Sequence, residues 1–554
     1  MTDKIARNTL FLFGSLLLLQ YLVTTGCNPE KALADSNRAS GLIVNSVTPL
    51  YMPVFINRQE NSYFTVSVDY ADNGQNRKIR KIILNVSANS DNGAIGEVYI
   101  TCLAPGQNES VLFGKSAPGR KVTVTGDYHF RNGNNLITVG VIPSAAAGLT
   151  GKFRIESLRI ILDDDSVLPA PAFSLPWLRF GTVIRAAGQD GCDTYRIPGL
   201  VTTNAGTLIA VYDNRYNNSK DLQEDIDIGM SRSTDGGHTW EPMKVVIDMG
   251  EFGGLPQNLN GTGDPSILYD HVTNTIWIAA LWMSGSAPDK MLWRASQPGM
   301  TPQETGQFLL VKSKDDGITW SEPVNITGQI KDPAWQLLLQ GPGRGITLKD
   351  GTLVFPAQFK ADIGATAIDG GQYTCHSTIV WSKDGGNTWQ IGSGAKSNTT
   401  EAQVVQLSDG SLMLNMRDDR NRTDKGATNG RAVAVTSDLG MTWTVHPSSN
   451  RALPEPNCMA SLIAAEVTVK GVKRQVLFFS NPDDMTSRIM MTVKASTDEG
   501  LTWPDDQQIV LYGPAGYGYS CLTMADENHV GILYEGVKEL YFQKIPVSDF
   551  FDRK

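Results

Sequence analysis

Apolar and polar residues alternate in short runs over roughly residues 40–165. Tyr63 to Val68 (YFTVSV), Ile79 to Val86 (IRKIILNV) and Phe153 to Leu162 (FRIESLRIIL) are examples. Gly- and Asn-rich turns separate them, at 72–76 (DNGQN), 90–96 (SDNGAIG) and 131–135 (RNGNN). Successive strand side chains point to opposite faces, so a period of two punctuated by such turns predicts an antiparallel β-sandwich. Asp163-Asp164-Asp165 and the Pro-bearing stretch at 168–176 (LPAPAFSLP) read as a linker. The predicted boundaries are a sandwich over 35–175 and a second unit over 176–554. Apolar runs continue in the second unit, such as Thr207 to Tyr212 (TLIAVY) and Thr275 to Leu281 (TIWIAAL), and these also read as strands.

The second unit repeats itself. Five segments fit Ser/Thr-x-Asp-x-Gly-x-Thr-Trp: Ser233 to Trp240, Ser313 to Trp320, Ser382 to Trp389, Thr436 to Trp443 and Ser496 to Trp503. Their acids are Asp235, Asp315, Asp384, Asp438 and Asp498, so the intervals are 80, 69, 54 and 60 residues. A fixed motif at elastic spacing marks one supersecondary unit repeated with loop insertions. Four short strands per unit, repeated radially, predict a β-propeller. The motif has a mechanical reading. The Asp accepts bonds from backbone N–H groups of its own turn, the Gly permits positive φ, and the Trp covers the turn. These five Asp are therefore read as turn staples and not as catalytic groups.

Composition narrows the function. Hydrophobic residues are 41% and charged residues 19%, which is globular and excludes a disordered or collagen-like chain. The 48 basic against 57 acidic residues give a net charge of −9, the wrong sign for a nucleic-acid binder. Any bound anion must be held by a local basic cluster. Six scattered His, with no pair at i,i+4, argue against a His-rich metal site. Cys102, Cys192, Cys375, Cys458 and Cys521 are widely spaced and read as buried free thiols.

Residues 1–34 read as an export signal. Lys4 and Arg7 precede the apolar run Leu10 to Val23, which is short for a membrane span. Gly26-Cys27 resembles the end of a bacterial lipoprotein signal, although Thr24 replaces the usual Leu. Ala32-Leu33-Ala34 offers ordinary secretory cleavage instead. Either way the mature protein is expected outside the cytoplasm: periplasmic, extracellular, or an outer-membrane lipoprotein anchored through Cys27.

The five Asp boxes, preceded by Tyr195-Arg196-Ile197-Pro198, resemble the bacterial sialidase (neuraminidase) family of glycoside hydrolases over roughly 180–554. The first unit resembles the β-sandwich that accompanies some gut bacterial sialidases. The resemblance implies an all-β chain with a six-bladed propeller, one blade of it lacking a recognisable box. It implies an exo-sialidase site on the propeller axis, acting on sialylated glycoconjugates, with no metal or organic cofactor, in a monomer.

Sialic acid carries a carboxylate on its anomeric carbon, and Arg matches a carboxylate in bidentate geometry. The resemblance implies three clamp arginines, and Arg196, Arg417 and Arg488 match them. A carboxylate nucleophile would be repelled by the substrate's own anion, and sialidases use a Tyr instead. A phenol needs a base to take its proton. Tyr519, in Gly518-Tyr519-Ser520-Cys521-Leu522, matches the nucleophile, with Tyr517 as its rival. Glu401 matches the base. For the acid/base, chemistry leaves Asp221, Glu224, Asp225 and Asp227 open; the resemblance favours Asp221, then Asp225. Arg215 and Asp264 match residues on the sugar's O4 side, with a turn-capping role the alternative for Asp264. Glu535 matches the acid that orients the first clamp Arg.

Two other classes remain open at this level. One is a propeller that binds sialylated glycans without cleaving them, which would not need Tyr519, Glu401 and Asp221 together. The other is a trans-sialidase or an anhydro-product enzyme using the same residues. The sandwich either packs on the propeller or binds carbohydrate through Tyr51, Phe55, Tyr63, Phe64, Tyr70, Tyr99, Phe113, Tyr128 and Phe130.

Overall fold

The computed structural model describes residues 41–221, 224–285 and 295–552. The signal-like segment 1–34, with Cys27 and Ala32-Leu33-Ala34, lies outside the described residues. The chain is all-β, a sandwich followed by a six-bladed propeller.

The sandwich pairs a five-stranded sheet, ordered Leu42–Pro49, Asn61–Tyr70, Gly133–Pro143, Ile95–Leu103, Val111–Ser116, with a four-stranded one. The latter is ordered Val167–Leu168, Ile155–Leu162, Lys78–Val86, Lys121–His129. Val66, Val68, Ile137 and Val139 of the first sheet share a core with Ile82, Leu84, Val122 and Val124 of the second. This is the face selected by the period of two. Eight of the nine aromatics weighed as a stacking platform are buried, Tyr51 being the exception. Seven of the eight belong to hydrophobic cores, and Tyr99 packs against Gly140 outside them.

Two short strands tie the sandwich side to the propeller. Lys152–Phe153 pairs antiparallel, and Val54–Phe55 parallel, with Leu178–Arg185. Asp549 holds both Arg179 (2.6 Å) and Lys152 (3.1 Å), and Arg154 lies over the Trp177 ring.

Six sheets form the propeller. The inner strands of blades 1 to 6 are Thr194–Thr202, Asn260–Asp270, the two short strands Leu337–Gln340 and Ile346–Thr347, Thr399–Gln406, Ser461–Val469 and Ser520–Asp526. Blade 6 is assembled from both ends of the unit. Its last three strands in sequence, Ser520–Asp526, His529–Glu535 and Leu540–Pro546, are completed by Leu178–Arg185, which pairs antiparallel with Leu540–Pro546.

Each Asp box sits in the turn between the third and fourth strands of blades 1 to 5. In the first, Ser233 Oγ and the Thr239 amide and hydroxyl all donate to Asp235, at 2.8, 2.9 and 2.6 Å. Gly237 N donates to Ser233 Oγ (2.8 Å), and the Trp240 indole donates to the Gly237 carbonyl (3.1 Å). The blade without a box is blade 6, for a topological reason. Its third and fourth strands belong to opposite ends of the unit, so no turn joins them and nothing needs stapling.

All five described cysteines are free and buried. Among the described residues no helix is long and apolar enough to cross a membrane.

Candidate active site

Three inner strands are deformed at their first residues. Register shifts occur between Arg196 and Gly199, between Gly263 and Ser266, and between Thr399 and Ala402. A bulge re-aims side chains at the end of a ladder. The three bulges aim Arg196, Asp264 and Glu401 towards the axis. Ile197 and Asp264 each adopt φ of 57° immediately before a proline. That is costly for a non-glycine residue, most of all for β-branched Ile197. A buried carboxylate holds each in place: Ile197 N donates to Glu535 (2.9 Å) and Asp264 N to Asp213 (2.9 Å).

The cleft has a cavity of about 180 Å3, lined by Asp221, Asp264, Glu401, Arg417 and Tyr519 among others. Tyr519 is its centre. The phenol donates a short hydrogen bond to Glu401, and Arg417 Nη1 lies 3.1 Å from the same oxygen. Glu401 is also ion-paired to Arg417 at 2.6 Å. Burial, and then Glu401, push the phenol well above its ordinary pKa, against the pull of Arg417 and Arg488. The resting side chain is therefore a neutral phenol with its proton directed at a carboxylate.

The three expected clamp arginines meet around this ring. Arg196 and Arg488 lie 5.2 and 5.6 Å from its centroid. Glu535, fully buried, accepts from Arg196 Nε (3.0 Å), from Ile197 N and from Tyr519 N (2.8 Å). One carboxylate therefore positions both the first arginine and the tyrosine backbone. Arg488 donates to the Tyr517 and Asn457 carbonyls, at 2.8 and 3.4 Å, and has no ion pair among the described residues. Tyr517 takes a different role from Tyr519: its ring lies against Arg196, 4.5 Å from the guanidinium carbon. Gly518 separates the two at φ of 86°, and a Cβ there would meet Pro482 at 2.9 Å.

Among the four acids of the 216–229 segment, the structure brings Asp221 to the cleft. Its Oδ1 bridges Arg196 and Arg215, both at 2.7 Å. Its side chain is half exposed at the mouth. Desolvation in the cleft opposes ionisation, but Arg196 and Arg215 outweigh it and draw the carboxyl down to about 2. The expected acid form is therefore not the resting form. Asp225 accepts from Gln257 (3.2 Å), Asp227 is buried beneath the Tyr216 hydroxyl (2.8 Å), and neither borders the cavity.

Arg215 is buried against Asp213 at 2.8 Å. The Asp264 carboxyl borders the cavity, and among the described residues no hydrogen bond has it capping a turn. Burial, then Asp213, Glu401 and Asp221, raise it well above the usual carboxylate range. Burial likewise pushes Asp213 up to about 6 despite Arg215.

Sequence reasoning did not single out Asp213 or Asn457. Asn457, at φ of 60°, accepts from Arg417 Nε and Nη2 at 3.2 and 2.7 Å, fixing the guanidinium plane. Asp213, two residues before Arg215, was visible in the Tyr212-Asp213-Asn214-Arg215 segment. No local signal marks Asn457, because its partner is forty residues away.

A BNR repeat-like domain matches residues 206–532. A sialidase of Bacteroides fragilis is 42% identical over 529 residues, covering 90% of this chain and 94% of its own. A sialidase of Micromonospora viridifaciens is 33% identical over 63% of this chain and half of its own. The solved structure of a Hadza microbial sialidase superposes with a TM-score of 0.82 at 40% identity, over 91% of this chain and 99% of that one. A leech intramolecular trans-sialidase, 15% identical with a TM-score of 0.53, shares the fold.

Proposed function

The chain belongs to the sialidase family, and on that premise we propose that it is a retaining exo-α-sialidase. It releases terminal sialic acid from glycoproteins, glycolipids and oligosaccharides. The observation that carries this reading is the Tyr519 hydroxyl seated on Glu401 amid Arg196, Arg417 and Arg488. A protein that only bound sialylated glycans would need the arginines but not the tyrosine–glutamate pair.

The substrate carboxylate docks on the three arginines, Arg488 having no carboxylate partner among the described residues. To engage Arg196 it competes with Asp221 for the same guanidinium. Displaced from Arg196, Asp221 loses a stabilising cation and gains an anionic neighbour, and both raise its pKa. With its pKa raised, Asp221, still held by Arg215, takes up a proton from solvent and becomes the proton donor for the leaving oxygen. As the glycosidic C–O bond breaks, Asp221 gives that oxygen its proton. Tyr519 gives its own proton to Glu401 and bonds to the anomeric carbon. In the second half, ionised Asp221 takes a proton from water, the water oxygen displaces Tyr519, and Glu401 returns the phenolic proton. Two inversions give retention. Asp264, neutral by burial, can donate to a sugar hydroxyl beside Arg215.

The test is release of free sialic acid from a simple α-sialoside, with a chelator present, in wild type and Tyr519→Phe. The proposal expects activity that survives chelation and falls at least about 10³-fold in the folded variant. Full activity in Tyr519→Phe would refute the nucleophile. The export reading belongs to the same proposal, with the enzyme meeting its substrates outside the cytoplasm. The N-terminal mass of the mature protein tests it: a start at Cys27 with added lipid, a start after Ala34, or an uncleaved chain, the last of which contradicts it.

A further inference from the structure

The cleft lies where the inner strands begin. A second cavity, of about 620 Å3, lies where they end. It is bordered by Thr202, Tyr269 and Gln406, at or near the last residues of the inner strands of blades 1, 2 and 4. It therefore opens on the opposite face of the propeller, and no residue of the mechanism reaches it.

Arg344 projects into this cavity. Its short strand, Gly343–Arg344, pairs parallel with Ser266 and Ile267 of blade 2. Its guanidinium makes two long contacts, Nη1 to the Leu522 carbonyl of blade 6 (3.3 Å) and Nε to the Gly345 carbonyl (3.5 Å). Nη2 has no partner among the described residues. Withdrawal from water lowers the Arg344 pKa, the direction expected of a cation without a counter-charge.

Other arginines withdrawn from solvent show how unusual this is. Arg196 has Glu535, Arg215 has Asp213, Arg417 has Glu401, and Arg431 has Glu455. Among the described arginines that are not exposed, two have no carboxylate oxygen within 4 Å: Arg488 and Arg344. Arg488 stands in a cleft whose carboxylate arrives with the substrate. An unpaired, desolvated cation costs several kcal/mol, and a fork of free N–H donors matches an oxyanion.

We propose that the cavity on the face opposite the cleft is a second anion site, in which Arg344 binds a small oxyanion of the carboxylate or sulfate class. Lys349, exposed at the rim, adds a second positive charge. Among the described lining residues Glu466 is the one acid, and it too is exposed. The volume falls within the range of about 300–1,000 Å3 usual for small-molecule sites, enough for a monosaccharide acid as well as an inorganic ion. The inference does not depend on the catalytic reading, since it uses none of the same residues.

Calorimetric titration of the full chain tests it, with sodium sulfate in one arm and free sialic acid in the other, at constant ionic strength. Wild type is expected to bind sulfate at two sites, cleft and far face. Arg344→Gln loses the far site, with at least a tenfold fall in its affinity. Arg344→Lys, which keeps the charge without the fork, retains weakened binding and shows that the pocket still folds. Sialoside hydrolysis in both variants stays at the wild-type rate. A second sialic acid in wild type that disappears in Arg344→Gln identifies a sugar carboxylate as the ligand, and a second site for sulfate alone identifies an inorganic oxyanion. Absence of a second site for either probe, or the same number of sites in wild type and Arg344→Gln, overturns the proposal.

Discussion

Glu535→Gln is the most discriminating substitution, because it changes charge and hydrogen-bonding pattern while keeping shape. Glu535 accepts four bonds: Arg196 Nε and Ile197 N on Oε1, and Arg196 Nη2 and Tyr519 N on Oε2. A glutamine offers one carbonyl oxygen. Placed at Oε1 it keeps the bonds at 3.0 and 2.9 Å, and its amide group then meets the Tyr519 N–H. The opposite flip keeps Tyr519 N at 2.8 Å and the marginal Arg196 Nη2 contact at 3.5 Å, while losing both good bonds on the other side. The first arrangement is favoured, so the strain falls on the tyrosine backbone. An unsatisfied buried donor costs about 1–3 kcal/mol, and loss of the charge opposite a buried arginine brings the total to about 3–5 kcal/mol. A shift of roughly 1 Å at a reacting group costs about 10²-fold in rate. The expected result is a kcat lowered about 10²-fold with a KM raised only a few-fold, since Arg196 keeps its Nε anchor. Steady-state kinetics on a fluorogenic sialoside, with urea unfolding alongside, read both quantities. A KM rise with unchanged kcat would refute the reasoning, because Glu535 would then position the arginine alone.

Asp221→Asn should lower kcat about 10²–10⁴-fold on an alkyl or sugar aglycone. The loss should be much smaller on an aryl sialoside whose leaving group needs no proton, and equal losses on both would exclude general-acid catalysis. Asp235→Ala removes three accepted bonds from the first box and should cost about 1–2 kcal/mol of stability, by analogy with loss of a cap, while kcat stays near wild type. A large kcat loss at unchanged stability would contradict the staple role. Burial pushes Asp227 up to about 7 in the folded chain against 3.8 as the reference. The raised carboxyl is neutral in the fold at low pH, so its ionisation destabilises progressively as pH rises from about 4 to about 7, by as much as about 4 kcal/mol. Asp227→Asn should therefore gain stability relative to wild type between pH 5 and 8 in denaturant titrations; a constant difference across that window would contradict the assignment.

What the sequence revealed follows how local each cause is. A box is written within eight residues, because its Asp, Gly and Trp act on one turn, and all five boxes were legible. Blade 6 was not, because its fourth strand lies more than 350 residues before its third. The period of two located the sandwich, and it also accounts for Phe64, Tyr70 and Tyr128, which alternate into the same face as the valines of their strands. Acidity alone could not choose among Asp221, Glu224, Asp225 and Asp227. The choice depends on Arg196 and Arg215, which the fold brings from neighbouring strands of blade 1. Asn457 and the bulges at Ile197 and Asp264 were invisible for the same reason, since the carboxylate or amide that holds each backbone comes from elsewhere in the chain.

The seam in blade 6 sets an order of events during synthesis. Leu178–Arg185 emerges early and has no sheet partner from its own blade until Leu540–Pro546 follows, more than 350 residues later. Glu535 and Tyr519 come from that late segment, whereas Arg196 is made more than 300 residues sooner. The nascent chain thus carries an open ring and an unassembled cleft until Leu540–Pro546 has been made. A polypeptide whose ring cannot close before that strand is made stays open, and so does the cleft that Arg196, Tyr519 and Glu535 share.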